Sequence, residues 1–170
     1  MMEAMPEIER WYPTDYGVDG VGDADNMESI SAWSESVTGI EVPTVMDASS
    51  SSWEEAFRET PIDAILCVNV VHISPFAVCE GLFRGAGLLL SKPGSPIVLY
   101  GPFSVGGKHT APSNEAFDTS LKARHPSWGV RALEDVDEVA RKNGFYKSEQ
   151  VPMPANNFTI IWRKGPQPAA

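Results

Sequence analysis

Asp15, Asp47, Asn69, His72 and Tyr100 are the residues whose types and placement carry chemistry, because each closes or directly follows a strand-like run. In an open parallel sheet, ligands bind at the carboxyl ends of the strands. A carboxylate there can accept from ribose hydroxyls, and a second can accept from an exocyclic amine. Asp15 and Asp47 together therefore suit a nucleoside. Each residue also has a plain structural reading: Asp15 can start a turn, Asp47 can cap the Ser-rich loop at 49–52, and Asn69 can satisfy buried backbone groups. The imidazole of His72 titrates near neutral pH and can act as a general base, against the alternative of a buried, hydrogen-bonded histidine. Cys67 and Cys79 fall in apolar runs and read as small buried hydrophobes. His72, His109 and His125 show no ligand spacing with them, so no metal is expected.

The elements that must position these residues alternate between strand and helix periodicity, the α/β pattern. Residues 8–12 read as a strand ending at Pro13-Thr14-Asp15, and the Gly- and Asp-rich residues 17–26 as a loop. Asp25 with Glu28 can cap a helix that carries Ile30, Trp33 and Val37 on one face. Val45-Met46 forms a second strand before Asp47, and a short helix with Trp53 and Phe57 follows. Residues 62–71 are almost continuously apolar, as in a strand buried on both faces. Ser74 can cap the next helix with Pro75 at its first position, and Phe76, Cys79, Leu82, Phe83, Ala86 and Leu90 recur at helical spacing. Lys92-Pro93-Gly94 stops that helix, and residues 96–100 return as a strand, completing a parallel βαβ unit. Helices follow over 114–123, with Phe117 and Leu121 inward, and over 133–142, stopped by Gly144. The last two strands, 145–151 and 158–163, are joined by too few residues for a helical crossover and must pair antiparallel. No internal repeat is visible.

At 170 residues, 42% apolar and 21% charged, the chain is sized for a single domain over 1–170 with a frayed tail from 165. Thirteen basic against 23 acidic residues leave a net charge of -10, which repels phosphate and argues against nucleic acid or an anionic membrane as partner. The most apolar stretch, 62–83, is broken by Asp63, Asn69, His72 and Glu80, so no membrane span is expected. The first seven residues lack the features of a secretory signal and two cysteines make no disulfide framework, so a cytoplasmic setting is expected.

Several short runs carry a family resemblance. They are Trp11-Tyr12-Pro13-Thr14-Asp15, Ser29-Ile30-Ser31-Ala32-Trp33, Cys67-Val68-Asn69-Val70-Val71-His72-Ile73-Ser74-Pro75, Tyr100-Gly101-Pro102-Phe103, Ser113-Asn114 with Phe117-Asp118, Trp128-Gly129-Val130-Arg131, and Met153-Pro154-Ala155-Asn156-Asn157. In this order, over about 11–164, they resemble the methyltransferase-like 26 family, a poorly characterised group with the class I S-adenosylmethionine (SAM)-dependent methyltransferase fold. The resemblance implies a Rossmann-like, mostly parallel sheet with a C-terminal antiparallel strand pair. It also implies that the family's first strand, glycine-rich turn and helix are missing here. Gly17, Gly20 and Gly22 spell a Gly-x-Gly pattern, but its context is that of a loop.

By the same resemblance, Asp15 would bind the SAM ribose, Asp47 and the Ala48 backbone the adenine, and Asn69 would lie near the methionine moiety, with Trp53 either over the adenine or in the core. Tyr100, Phe103, Asn114, Asp118, Arg131, Asn156 and Asn157 would line the substrate side together with His72. Arg131 and Asp118 have an ion pair as their structural alternative, and the two asparagines a role in shaping the last hairpin. The implied activity is SAM-dependent methyl transfer to a small-molecule or protein acceptor, for which positioning suffices and no dedicated nucleophile is needed. The alternatives are a non-catalytic Rossmann-like binding or scaffold protein and a truncated fragment of a methyltransferase.

Overall fold

A computed structural model describes residues 7–16 and 24–165, which group into two compact units, 1–47 and 48–170. The sequence-predicted glycine loop, the Asp25 cap and the end of the tail lie outside the described residues or side chains.

In the first unit, β1 (Thr14–Asp15) runs parallel to β2 (Thr44–Val45), and helix α1 (Ala24–Ser34) connects them. Trp11 also bridges to Ile40, with Trp11 N–H on the Gly39 carbonyl at 2.8 Å and Glu41 N–H on the Trp11 carbonyl at 2.9 Å. Pro13 and Pro43 have no N–H to donate, which interrupts the ladder between this bridge and the Thr14–Thr44 pair. The first strand therefore lies past Pro13 rather than before it. α1 ends at Ser34, whose hydroxyl donates to the Ile30 carbonyl at 2.6 Å, so Val37 never joins a helical face and Trp33 stands 82% exposed instead of inward.

The second unit holds a four-stranded sheet in the order β3-β4-β9-β8, built from β3 (Ile65–Val68), β4 (Pro96–Gly101), β8 (Phe145–Met153) and β9 (Asn157–Lys164). β3 and β4 are parallel and linked by α2 (Phe76–Leu89), while β9 is antiparallel to both β4 and β8, as the short final connection required. A smaller sheet, β6-β5-β7, comprises β5 (Phe103–Val105), β6 (Lys108–His109) and β7 (Arg131–Ala132), with α3 (Pro112–Arg124) and α4 (Leu133–Lys142) packed around it.

Ile97, Leu99, Ile160 and Trp162 form the buried centre of the large sheet, and Phe83 of α2 meets Trp162 and Phe145 edge-on at 5.3 and 5.9 Å. The Trp162 indole N–H is satisfied by Asp137 Oδ1 at 2.8 Å. α2 sits close to the turn at Trp53–Phe57 because Gly81 and Gly85 have no side chain. A Cβ at Gly81 would lie 2.0 Å from the Ala48 carbonyl oxygen, and one at Gly85 would lie 2.3 Å from the Trp53 ring.

Two expectations change here. β3 is not buried on both faces: Leu66 and Val68 are exposed, Val68 by 49%, and among the described residues β4 is the strand that pairs with β3. Ser74 does not cap α2, since its hydroxyl donates back to the Val70 carbonyl at 2.9 Å. No helix among the described residues is long and apolar enough to cross a membrane.

Candidate functional site

Asp15 ends β1 and Asp47 lies two residues beyond β2, so both carboxylates stand at the carboxyl end of a parallel strand pair. Asp15 Oδ1 accepts the Tyr16 N–H at 2.7 Å and Oδ2 accepts Asn26 Nδ2 at 2.6 Å, which ties the strand end to the first turn of α1. A carboxylate has about four acceptor directions, so a ribose hydroxyl can join these donors or displace Asn26.

In the second unit, the chain turns sharply after β3. Asn69 adopts φ +57°, its N–H donates to the Tyr100 carbonyl at 2.9 Å, and a Cβ built on Gly101 would lie 3.6 Å from its Oδ1. That same Cβ would lie 3.2 Å from Nδ1 and Cε1 of His72, so the absence of a side chain at Gly101 makes room for the imidazole. His72 is 4% exposed and meets Phe117 edge-on at 5.7 Å, and its carbonyl accepts the Gly129 N–H at 3.0 Å. Among the described residues, Nδ1 is buried without a hydrogen-bond partner. Burial, assisted by the charges of Arg131 and Arg124, pushes the imidazole down to about 4, so the ring is neutral at pH 7. The hydrogen-bonded core histidine that sequence reasoning offered as the alternative is not what forms. The ring is buried but unsatisfied, a state that invites a donor from outside the chain.

Asn157 Nδ2 donates to Tyr100 Oη at 3.2 Å. Asn114 Nδ2 donates to Thr110 Oγ1 at 3.1 Å and to the Asn156 carbonyl at 3.0 Å, while Asn156 Nδ2 donates to Ser113 Oγ at 3.0 Å. These bonds pin the start of α3 to the tip of the last hairpin. There Ala155 and Asn156 both hold φ +58°, a conformation disfavoured for residues with a Cβ. Both asparagines thus shape the hairpin, and Asn157 also reaches Tyr100.

Asp118 is buried. Oδ1 accepts the Val130 N–H at 2.8 Å, and Oδ2 lies 2.6 Å from Lys122 Nζ and 3.5 Å from His109 Nε2. Arg131 does not pair with it. Its Nε donates to the Val71 carbonyl at 2.8 Å, and Nη2 donates to the carbonyls of Ser74 and Ser127 at 2.5 and 2.7 Å. Arg131 thereby braces both sides of the turn that carries His72. Phe103 and Trp53 serve packing: Phe103 is wholly buried, and Trp53 lies under α2 with its indole N–H on the Gly81 carbonyl at 2.9 Å. Ala48 is buried with its carbonyl against α2.

Sequence reasoning missed Lys122, His109 and Gly129. Lys122 was legible as an i,i+4 partner of Asp118 on one helix. His109 reaches Asp118 only through the β5–β6 hairpin. A Cβ at Gly129 would lie 2.8 Å from Asp118 Oδ1, a contact no local pattern announces.

Residues 2–164 match the family described as DUF938, protein of unknown function. The chain belongs to the DUF938 family. Its fold is that of class I, Rossmann-like methyltransferases. An O-methyltransferase family protein from Burkholderia thailandensis aligns at TM-score 0.70 and 12% identity over 96% of this chain and 46% of its own. LepI in complex with SAM aligns at 0.69 and 13% identity, over 96% of this chain and 38% of its own. Human N-acetylserotonin methyltransferase with SAM aligns at 0.58 and 15%, over 75% and 34%. This DUF938 chain spans less than half the length of each of these proteins. Among its described residues, no three His, Cys, Asp or Glu side chains are grouped to hold a metal ion.

Proposed function

We propose that this chain serves SAM-dependent methyl transfer, as the sequence runs similar to methyltransferase-like 26 imply, and that its acceptor bears a hydroxyl. The observation that carries the reading is His72, a buried imidazole whose Nδ1 lacks a hydrogen-bond partner, just past the carboxyl end of parallel β3. That end of a parallel sheet is where α/β folds bind ligands. SAM, when bound, supplies an electrophilic methyl group. Asp15 and Asp47 fit its nucleoside half by carboxylate chemistry at two strand ends of the first unit. His72 would accept a hydrogen bond from the acceptor's hydroxyl and align its oxygen; the methyl–sulfur bond would break as the methyl–oxygen bond forms, with the thioether leaving and the hydroxyl proton passing through His72 to solvent, while Arg131 holds the turn that carries the ring.

Calorimetric titration of SAM tests the cofactor assignment. Asp15→Ala should lower affinity by roughly ten- to a hundredfold, the worth of a charge-assisted bond of about 1.5–3 kcal/mol. An unchanged dissociation constant rejects Asp15 as a ligand. One observation favours a second, non-catalytic reading: Asp15 already holds Tyr16 and Asn26, as a purely structural carboxylate would. Under that reading the chain binds no SAM, and Asp15→Ala loosens α1 without any change in a ligand titration.

A further inference from the structure

A cavity of about 360 Å³ opens between the β5–β6 hairpin, α3 and the start of α4, lined among others by Phe76, His109, Asp118, Lys122, Arg131 and Asp135. Its volume lies near the lower end of ligand pockets, roughly 300–1,000 Å³, and so suits a small molecule.

The charged groups around it are unevenly paired. Asp118 is neutralised by Lys122 and by the Val130 N–H. Arg131 is half-buried, and its bonds go to three carbonyls; among the described residues Nη1 has no partner and no carboxylate pairs with the guanidinium. Asp135, in the first turn of α4, has neither an ion pair nor a hydrogen bond through its carboxylate among the described residues. His109 adds a buried Nδ1 without a partner at the same wall. Arg131, with Nη1 unpartnered among the described residues, and Asp135, an exposed carboxylate without an ion pair among them, thus line a single small cavity. The complement of this pair is a molecule carrying both signs.

We propose that the cavity binds a small zwitterion, an α-amino acid or similar amino carboxylate, with its carboxylate on Arg131 Nη1 and Lys122 and its ammonium on Asp135. This site does not depend on methyl transfer. Arg131 also bonds to the carbonyls of Val71 and Ser74 on either side of His72, so a ligand held by its guanidinium is anchored one side chain from that histidine's turn.

The test is a nuclear magnetic resonance titration of the full chain with L-alanine, acetate and methylammonium at constant ionic strength. L-Alanine should give saturable shifts at the amides of Gly107, Val130 and Ala132, whereas acetate and methylammonium, each meeting one half of the site, should bind at least tenfold more weakly. Asp135→Asn should bring L-alanine down to the affinity of acetate, and Lys122→Gln should weaken it severalfold. Both positions are exposed, so neither variant threatens the fold as an Arg131 substitution would. The proposal is overturned if L-alanine gives no saturable shift, if the shifts fall elsewhere, or if acetate binds as tightly as L-alanine and Asp135→Asn changes nothing.

Discussion

The two units handle strand pairing in opposite ways. In residues 48–165 the large sheet closes a core in which Ile97, Leu99, Ile160 and Trp162 are wholly buried. In the first unit, the paired strands are two residues long, and every fully buried apolar side chain among the described residues belongs to the other unit. Trp33 and Val42 are each 82% exposed. Prolines at 13 and 43 keep the first ladder short, whereas β4 and β9 pair without interruption from Pro96–Arg163 to Gly101–Phe158. Apolar burial is the dominant stabilising term, so the second unit carries the stability. The first unit's carboxylates depend on local hydrogen bonds such as Asp15–Asn26.

The largest effect expected is from Trp162→Ala. Removing a wholly buried tryptophan should cost about 3–5 kcal/mol and also remove the indole donor to Asp137, and urea unfolding monitored at β4 and β9 amides reads the loss. A cost below 1 kcal/mol would mean that the core lies elsewhere.

His72 gives the next effect, and it depends on pH. Its folded pKa of about 4 lies below the ordinary value of 6.5, so between these values the unfolded chain binds more protons and stability falls as pH drops through that window. The parent protein should lose about 3 kcal/mol more than His72→Gln between pH 7 and pH 4. Parallel stability curves for the two proteins would place the imidazole in solvent.

Gly85→Ala should destabilise by about 1–3 kcal/mol, because the new methyl meets the Trp53 ring and either the turn or α2 must move. A fall in melting temperature together with a change in tryptophan emission would register the displacement.

Trp33→Ala marks the small end. An exposed side chain on α1 should shift stability by no more than about 0.5 kcal/mol, although tryptophan is the largest residue removed from either unit. A cost comparable to that of Trp162→Ala would contradict the contrast between the units.

Periodicity and punctuation sufficed for the second unit's helices. Residues 133–142 form α4 as expected and Gly144 stops it at φ +80°, while the short link at 153–157 dictates antiparallel pairing. These features are local, set by side-chain spacing and by how far a few residues can reach. The ends of the first two strands were also legible, and with them the positions of Asp15 and Asp47, whereas β3 stops at Val68, short of the expected residue 71, and leaves Asn69 and His72 in the turn that follows.

Other features were decided by tertiary packing alone. Trp33 turns outward because α1 ends at Ser34, and Trp53 becomes packing because two glycines admit it beneath α2. Arg131 binds carbonyls 57 and 60 residues away instead of Asp118, which pairs with Lys122 one helical turn along. His72 is left unsatisfied because the elements that bury it present Phe117 and the bare Gly101 backbone rather than a polar partner. Spacing along a chain fixes which face a residue occupies. The hydrogen-bond partners and the solvation of that face are set by distant segments, and those arrive only when the sheet closes.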